Sequence, residues 1–206
     1  MSFPDHPYDG AGAFCTDYFA ELSRAAASVD PAAVARAAAL LTEAFARDAT
    51  LFSCGNGGSA AIADHLVCDC AKGIQTDTDW RPRVVSLSAT TSLITAIAND
   101  IAYAEVFAWQ INTFARPGDV LLTISSSGNS PNIVRAVEAA RARGVASIAL
   151  TGFDGGASAG LADVNLHVAA RNYGIVEDTH QSLMHILAQY LRQSRMDPAL
   201  VAARTF

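Results

Sequence analysis

The sequence has few basic residues, no long apolar run and no signal-peptide pattern. Lys and Arg total 14 in 206 residues and the formal net charge is −6, with no cluster that could form the basic patch of a nucleic-acid groove. No apolar stretch approaches the roughly 20 residues that a transmembrane helix needs. The start, residues 1–10, is polar and contains proline, unlike a signal peptide. We therefore expect a cytoplasmic protein that binds neither nucleic acid nor a membrane.

The sequence also lacks a cysteine framework. Its four cysteines, Cys15, Cys54, Cys68 and Cys70, have neither the paired CxxC spacing of metal sites nor the density of a disulfide scaffold. Cys68 and Cys70 are two residues apart, so they point to different faces of a helix. We expect reduced thiols, as is usual in the cytosol. A metal role for them is the less common alternative to simple burial.

The first part of the chain is rich in alanine and has no strand pattern. Two helical segments are predicted, over 13–29 and 31–48, and Asp30 before Pro31 fits an N-cap with proline at the first helical position. An amphipathic segment of this kind usually packs on another helix or on a partner subunit. We therefore expect residues 1–48 to form an N-terminal helical arm.

The rest of the chain, residues 49–206, alternates short apolar runs with helical segments. The runs predict five strands, over 49–54, 83–87, 119–124, 146–150 and 164–168. The segments between and after them predict helices over 59–72, 91–97, 102–114, 131–143 and 175–195. Near-continuous apolar strands that alternate with helices are typical of a parallel sheet covered on both faces. The prediction is an α/β protein with one doubly wound, five-stranded sheet.

Two loops of similar composition follow the first and third predicted strands. Residues 54–59 are CGNGGS and residues 125–130 are SSSGNS. In an open parallel sheet, ligands bind beyond the carboxyl ends of the strands, and glycine, hydroxyls and helix N-termini all suit phosphate there. Ser and Gly are also ordinary capping residues, but two such loops at equivalent strand ends indicate a phosphate site.

A nucleotide site is the competing interpretation. Gly55, Gly57 and Ala60 fit the loose form of the dinucleotide fingerprint, after a strand and before a helix. The acid that should end the second strand is missing, because that strand ends in VVSLS and Asp77 and Asp79 precede it. The GxxxxGK[ST] pattern is absent as well, so neither nucleotide motif is supported.

Ionisable side chains recur at helical spacing on two predicted helices. His65 and Asp69 are four residues apart, and Glu177, Gln181 and His185 form one stripe on the last helix. Imidazoles and carboxylates together have the composition of a zinc site. They equally suit acid and base roles in proton transfer, and two solvated helix faces would give the same spacing. From spacing alone these alternatives remain open.

Several motifs resemble, in order and spacing, those of the sugar isomerase (SIS) domain and specifically of the phosphoheptose isomerases. The resemblance covers nearly the whole chain. It includes His65 with an acid four residues on, and it is carried by the strings CGNGGSAA (54–61), IANDIAYAEVF (97–107), ISSSGNSPN (124–132), TGFDGG (151–156) and EDTHQSLMHIL (177–187).

The resemblance implies a flavodoxin-like fold and a homotetramer with active sites at subunit interfaces. It also implies a reaction, the conversion of sedoheptulose 7-phosphate to a D-glycero-heptose 7-phosphate. By position, the phosphate would be bound by Ser125, Ser127 and Ser130, with Ser126 nearby. The sugar site would include Asn56, Gly57, Gly58, Ser59 and Asp100. The metal and catalytic positions would be His65, Asp69, Glu177 and His185, holding zinc or another divalent metal.

This chain departs from the family pattern at two of these positions. The resembling family usually has glutamate at the position of Asp69 and glutamine at that of Glu177. The shorter Asp69 carboxylate and the added Glu177 carboxylate leave open which of the two is the base, with His185 as its partner. The alternative from another class is a non-catalytic SIS module that senses a sugar phosphate or docks a protein partner.

Overall fold

The computed structural model describes residues 3–206, and its centre is a parallel sheet of five strands. The spatial order is β2-β1-β3-β4-β5, the flavodoxin-like order, and every neighbouring pair is parallel. Each strand lies within one residue of its predicted bounds. The strands are β1 (Thr50–Gly55), β2 (Arg83–Ser86), β3 (Val120–Ser125), β4 (Ala146–Thr151) and β5 (Val164–His167). The predicted fold class is confirmed.

The helices surround this sheet. They are α1 (Ala11–Ala27), α2 (Pro31–Ala46), α3 (Gly58–Cys68), α4 (Thr91–Asp100), α5 (Ala108–Phe114), α6 (Pro131–Ala142), α7 (Gly156–Leu161), α8 (Tyr173–Gln193) and α9 (Pro198–Val201). A π-helical turn, Asp69–Ile74, continues α3, and a 3₁₀ turn, Tyr103–Glu105, precedes α5. The helix predicted over 102–114 is therefore divided into two elements. Helix α7 was not predicted, because its sequence, GASAGL, has no apolar periodicity.

Two apolar layers cover the two faces of the sheet. Neighbouring residues of β3 point into different layers: Leu121 belongs to the layer with α4, α5 and α6, and Leu122 to the layer with α2, α3 and α8. This alternation follows from the period of two along a strand. Because both faces are buried, β1 and β3 are apolar along most of their length, as the sequence indicated.

The N-terminal helices pack on the sheet domain. Helix α2 begins after the Asp30 carboxylate, which accepts a hydrogen bond from the Ala32 amide at 2.9 Å, and its buried Leu41 lies in the same apolar layer as the strands. Helix α1 contacts α8, where the Tyr18 hydroxyl donates to Asp178 at 2.6 Å. The division of the chain at residue 48 stays a prediction. Within residues 3–206, no helix is long and apolar enough to cross a membrane.

The connections after β1 and β3 leave the sheet in opposite directions. Helix α3 follows β1 and packs in the layer of α2 and α8, whereas α6 follows β3 and packs in the layer of α4 and α5. Since β1 and β3 are neighbours, a crevice opens between the two loops that lead into these helices. A crevice at such a topological switch point is where open α/β sheets bind ligands.

Candidate active site

The two predicted loops meet at this switch point, where Asn56 of the first loop pairs with Asn132 in the first turn of α6, directly after the second loop. Asn56 donates to the Asn132 side-chain oxygen at 2.9 Å, and Asn132 donates back to Asn56 at 2.8 Å. The Tyr103 hydroxyl also donates to the Asn56 oxygen, at 2.9 Å. Neither Asn132 nor Tyr103 was predicted as a site residue, although both lie in the strings that carry the family resemblance. The reciprocal amide bonds fix the distance between the two loops.

A polar pocket of about 120 Å³ lies between the loops. It is lined by Asn56, Ser59, Ile124, Ser125, Ser126, Ser127, Ser130, Tyr173 and Glu177. The Ser126 hydroxyl oxygen is buried and has no hydrogen-bond partner among residues 3–206. A buried hydroxyl without a hydrogen-bond partner is energetically costly unless a bound ligand supplies that partner. With the start of α6 directly after the second loop, the pocket suits an oxyanion such as a phosphate group.

Three of the predicted sugar-site residues, Gly57, Gly58 and Asp100, do not line this pocket. Gly57 precedes α3 with a φ of 55°, a left-handed conformation that favours glycine, so its part in the site is to shape the turn. Asp100 ends α4, where it is exposed and accepts a hydrogen bond from the Asn99 amide at 2.8 Å. A direct sugar contact by Asp100 stays a prediction.

Glu177 lies in the serine-lined pocket, over the backbone of Gly58. A Cβ atom at Gly58 would overlap the Glu177 carboxylate, so glycine leaves the room that this carboxylate occupies. Burial, and to a lesser extent the neighbouring Asp178, raise the pKa of Glu177 above its ordinary value. Glu177 is therefore poised to exchange protons closer to neutral pH than an exposed glutamate.

Three of the four predicted metal or catalytic residues come together about two turns further along α8. The His185 Nδ1 atom lies 2.6 Å from Asp69 Oδ2, and His65 Nε2 lies 3.3 Å from Asp69 Oδ1. One donor atom from each residue lies within 4.8 Å of the other two. The structure does not bring Glu177 into this group, which we call the His-Asp-His cluster.

Gln181 orients the imidazoles of the cluster. Its amide nitrogen lies 2.9 Å from His185 Nε2 and 3.5 Å from His65 Nδ1. An amide donating to Nε2 leaves the proton of neutral His185 on Nδ1, where it is donated to Asp69. Asp69 is the first residue of the π-helical turn, an irregularity that is frequent at functional sites.

The donor set of the cluster fits a divalent metal. Two imidazoles and one carboxylate are the protein ligands of several catalytic zinc sites, which keep a further position for water or substrate. The cluster is also accessible, since the side chains of His65 and His185 are 47% and 37% exposed. The same groups, free of metal, have the hydrogen-bonded arrangement of an acid–base pair.

One buried histidine of α8 lies outside the site. His180 is fully buried, and neither of its ring nitrogens has a hydrogen-bond partner among the described residues. Burial lowers the pKa of His180 to about 4, with a small addition from His167, while the nearby Thr151 backbone offsets part of the shift. The imidazole is therefore neutral in the folded protein at physiological pH.

Fold and site together define the class of the protein. The sheet has the flavodoxin-like order and carries two loops of serine and glycine at its switch point. The SIS domain family model matches residues 16–152, so the chain belongs to the sugar isomerase (SIS) domain family.

Comparison with individual proteins narrows this class. The phosphoheptose isomerase of Alteromonas mediterranea is 39% identical over 173 residues, 82% of this chain and 87% of that protein. The structure of phosphoheptose isomerase GmhA from Neisseria gonorrhoeae is 34% identical, with a TM-score of 0.82, over 88% of this chain and 98% of that one. A phosphoheptose isomerase structure from Francisella tularensis gives 28% identity and a TM-score of 0.81 over 89% and 99% of the chains. The chain belongs to the phosphoheptose isomerase family, as the motifs predicted.

Proposed function

We propose that this protein interconverts sedoheptulose 7-phosphate and a D-glycero-heptose 7-phosphate through an enediol intermediate. Membership of the phosphoheptose isomerase family supports this activity. The observation that carries the proposal is the order of groups along α8. Glu177 lies in the serine-lined pocket and His185, eight residues later, lies in the His-Asp-His cluster. Eight residues of helix span roughly 12 Å, a separation that suits a phosphate at one end of a seven-carbon chain and a carbonyl at the other.

In the proposed mechanism, the phosphate group anchors the substrate away from the reacting carbons. Ser125, Ser127 and Ser130 would bind it at the start of α6, and the buried Ser126 hydroxyl would gain the partner that it lacks. Binding far from the reacting carbons holds C1 and C2 beside the cluster, which converts proton transfer into an intramolecular step. Asn56 and Ser59 would contact the hydroxyls of the sugar.

The isomerisation moves one proton between neighbouring carbons. A carboxylate removes the proton from C1 of the ketose, the electron pair forms the enediol, and an acid protonates the C2 oxygen. The carboxylate then returns the proton to C2 while the C1 hydroxyl loses its own, which gives the aldose. Asp69 and His185, held 2.6 Å apart, are suited to act as this base and acid. Glu177, the other carboxylate considered as the base, lies at the phosphate end of this arrangement, about two turns of α8 from the cluster, so the arrangement favours Asp69.

His65, Asp69 and His185 are the residues that would hold a divalent metal, and we propose zinc. When bound, such an ion polarises the carbonyl and stabilises negative charge on its oxygen.

We further propose a cytoplasmic homotetramer with active sites at subunit interfaces, as the family resemblance implies. Large apolar side chains at the surface support assembly: Phe19 is 62% exposed on α1 and Tyr190 53% exposed on α8. Side chains of this size exposed on two helices that contact each other are suited to a subunit contact. A non-catalytic sensing module is not favoured, because the cluster keeps a complete set of ionisable groups.

Proton exchange with solvent tests the proposed function. Protein of known metal content is incubated with sedoheptulose 7-phosphate in heavy water, and the C1 and C2 protons are followed by NMR. We expect an aldose that carries solvent deuterium at C2. Alanine at His185 or Asp69 should abolish turnover and leave sugar-phosphate binding measurable. Binding of the sugar without product or exchange would contradict the proposal, and repeating the assay after chelation gives the role of the metal.

A further inference from the structure

The turn that follows β4, residues 151–156, packs between the second serine-rich loop and α8. Its sequence is TGFDGG, and it contains none of the proposed catalytic or metal-binding groups. The Gly152 amide donates to the Ser126 carbonyl at 3.0 Å. On its other side, a Cβ atom at Gly152 would overlap the side chain of Val176 on α8. The turn therefore contacts both elements that form the serine-lined pocket.

Phe153 in this turn has a left-handed backbone conformation, with a φ of 49°, which favours glycine. Its amide donates to the Ala170 carbonyl at 3.0 Å. Its phenyl ring packs edge-on against Tyr173, with ring centres 4.9 Å apart and an angle of 77° between the ring planes. Non-glycine residues in this region are held there by their surroundings and cluster at functional sites. The contact with Tyr173 is what this conformation provides.

The backbone of Tyr173 is fixed as well, because Tyr173 is the first residue of α8. The N-cap residue, Asn172, accepts a hydrogen bond from the Ile175 amide at 3.0 Å through its side chain. The same side chain donates to the Phe3 carbonyl at 2.9 Å. The start of α8 is therefore anchored, and the Tyr173 ring is held at its base by the helix and on its side by Phe153.

Tyr173 lies at the mouth of the serine-lined pocket. Among the nine residues that line this pocket it is the one exposed residue, at 63%, whereas the other eight are buried or half-buried. It precedes Glu177 by four residues, so both side chains are on the same side of α8. The pocket therefore meets solvent at the Tyr173 ring.

The composition of the pocket makes its exposure to water important. Within the described part of the chain, no lysine, arginine or histidine lines it, and Glu177 is its one carboxylate. A phosphate there would be held by serine hydroxyls and by the start of α6, without a cationic side chain. Hydrogen bonds and dipoles act more strongly on a charged group where water is excluded. An aromatic ring at the mouth excludes water from this site.

We propose that Tyr173 closes the mouth of the serine-lined pocket over the phosphate group of the substrate, and that Phe153 is the positioning residue that holds the Tyr173 ring there. This inference rests on the proposed function for the identity of the substrate. The ring of Tyr173 has this role and its hydroxyl does not, because shielding depends on the area of the ring. Phenylalanine can therefore replace Tyr173, whereas alanine cannot.

Calorimetry on Tyr173→Ala and Tyr173→Phe tests the role of the ring, with sedoheptulose 7-phosphate and inorganic phosphate as probes. Admitting water should weaken binding about as much as the loss of one hydrogen bond to a charged group, so we expect roughly tenfold lower affinity for both probes in Tyr173→Ala. Tyr173→Phe should bind both probes like the wild type. The control is Phe114→Ala, which removes a 52% exposed ring on α5 and should change neither affinity.

Two results of this experiment would overturn the proposal. Wild-type affinity in Tyr173→Ala would show that the ring does not shield the phosphate. Equal losses in Tyr173→Ala and Tyr173→Phe would assign the effect to the hydroxyl instead of the ring.

Steady-state kinetics separates this binding role from a general loss of structure. In Tyr173→Ala we expect KM to rise roughly tenfold with kcat nearly unchanged, because the phosphate is held in the same way in the ground state and in the transition state. The His-Asp-His cluster lies further along α8 and does not contact this ring. A lower kcat with an unchanged KM would contradict the proposal.

A double-mutant cycle tests the positioning role of Phe153. Phe153→Ala should lower the affinity for inorganic phosphate in the wild-type background and should have no further effect in the Tyr173→Ala background, because Phe153 acts through the Tyr173 ring. Additive losses would mean that Phe153 supports the serine-rich loop independently, and they would overturn this role. Phe153→Leu, which keeps a large apolar side chain, replaces the alanine variant in the cycle if that variant does not fold.

The binding measurements need no turnover, so they separate failure of this inference from failure of the proposed function. A protein that binds both probes with an affinity dependent on Tyr173, but forms no aldose, would refute the proposed function and support the closed phosphate pocket. Formation of the aldose with an affinity that does not depend on Tyr173 would refute this inference alone.

Discussion

Acid should destabilise this protein through one residue, the buried His180. In the folded state its pKa is about 4, against an ordinary value of 6.5, because the imidazole is buried without hydrogen-bond partners. Between these two pH values the unfolded chain binds a proton that the folded protein does not. Stability is therefore complete above pH 6.5 and is lost progressively as the pH falls toward 4.

The size of this effect follows from the pKa difference. Each pKa unit corresponds to about 1.4 kcal/mol, so a shift from 6.5 to about 4 costs about 3 kcal/mol when the pH falls through the whole range. That is a large part of the roughly 5–15 kcal/mol by which a typical domain is stable. Most other groups that change their charge over this range are carboxylates, and their contribution is common to wild type and variant.

The measurement compares the wild-type protein with His180→Leu, which has a side chain of similar size and no titrating group. Free energies of unfolding in urea are measured from pH 8 to pH 4.5 at one fixed protein concentration, because assembly would contribute to stability. The variant should lose about 2–3 kcal/mol less than the wild type over this range. His6→Gln, at an exposed histidine, is the control and should follow the wild type. Parallel curves for wild type and His180→Leu would refute this account of the buried imidazole.

Three further predictions concern the site. Asp69→Asn should lower kcat by about 10²–10⁴-fold, because an amide cannot act as the base. The affinity for the sugar phosphate, measured by calorimetry, should stay within a few-fold of wild type. Near-normal turnover would show that Asp69 is not the base. Gly58→Ala should displace the Glu177 carboxylate and raise KM, measured by steady-state kinetics, and an unchanged KM would mean that this carboxylate has no contact with substrate. Asn132→Leu should lower the free energy of unfolding, measured in urea, by about 1–3 kcal/mol, because it leaves the Asn56 side-chain amide without its partner. An unchanged free energy of unfolding would show that the two reciprocal hydrogen bonds contribute no net stability.

The strands and the two loops were predictable because local sequence determines them. A strand such as β3 is apolar along most of its length, and this pattern requires burial on both faces wherever the chain places it. The composition of residues 125–130 likewise indicates its chemistry without reference to the rest of the fold. Helix α7 was missed because its residues are small, and because Gly155 and Gly156, which adopt φ values of 83° and 58°, indicate a turn.

The arrangement of the ionisable groups was only partly predictable. Helical spacing places Glu177 and His185 on one stripe of α8, but it does not reveal which element lies opposite each turn. Glu177 faces Gly58 and the serine loops, whereas His185 faces Asp69 on the π-helical turn. The Asn56–Asn132 pair joins residues 76 positions apart, and only the tertiary fold brings them together.

Helix α8 sets the distance between the phosphate-binding and the catalytic groups. Glu177 and His185 mark two positions along its length, at the serine-lined pocket and at the His-Asp-His cluster. Inserting a single residue between them would rotate everything downstream by about 100° and carry His185 away from Asp69. The distance between the phosphate site and the site of the carbonyl can therefore change only in whole turns of helix. Smaller adaptations to other sugars must come from side chains in the serine-lined pocket and in the His-Asp-His cluster.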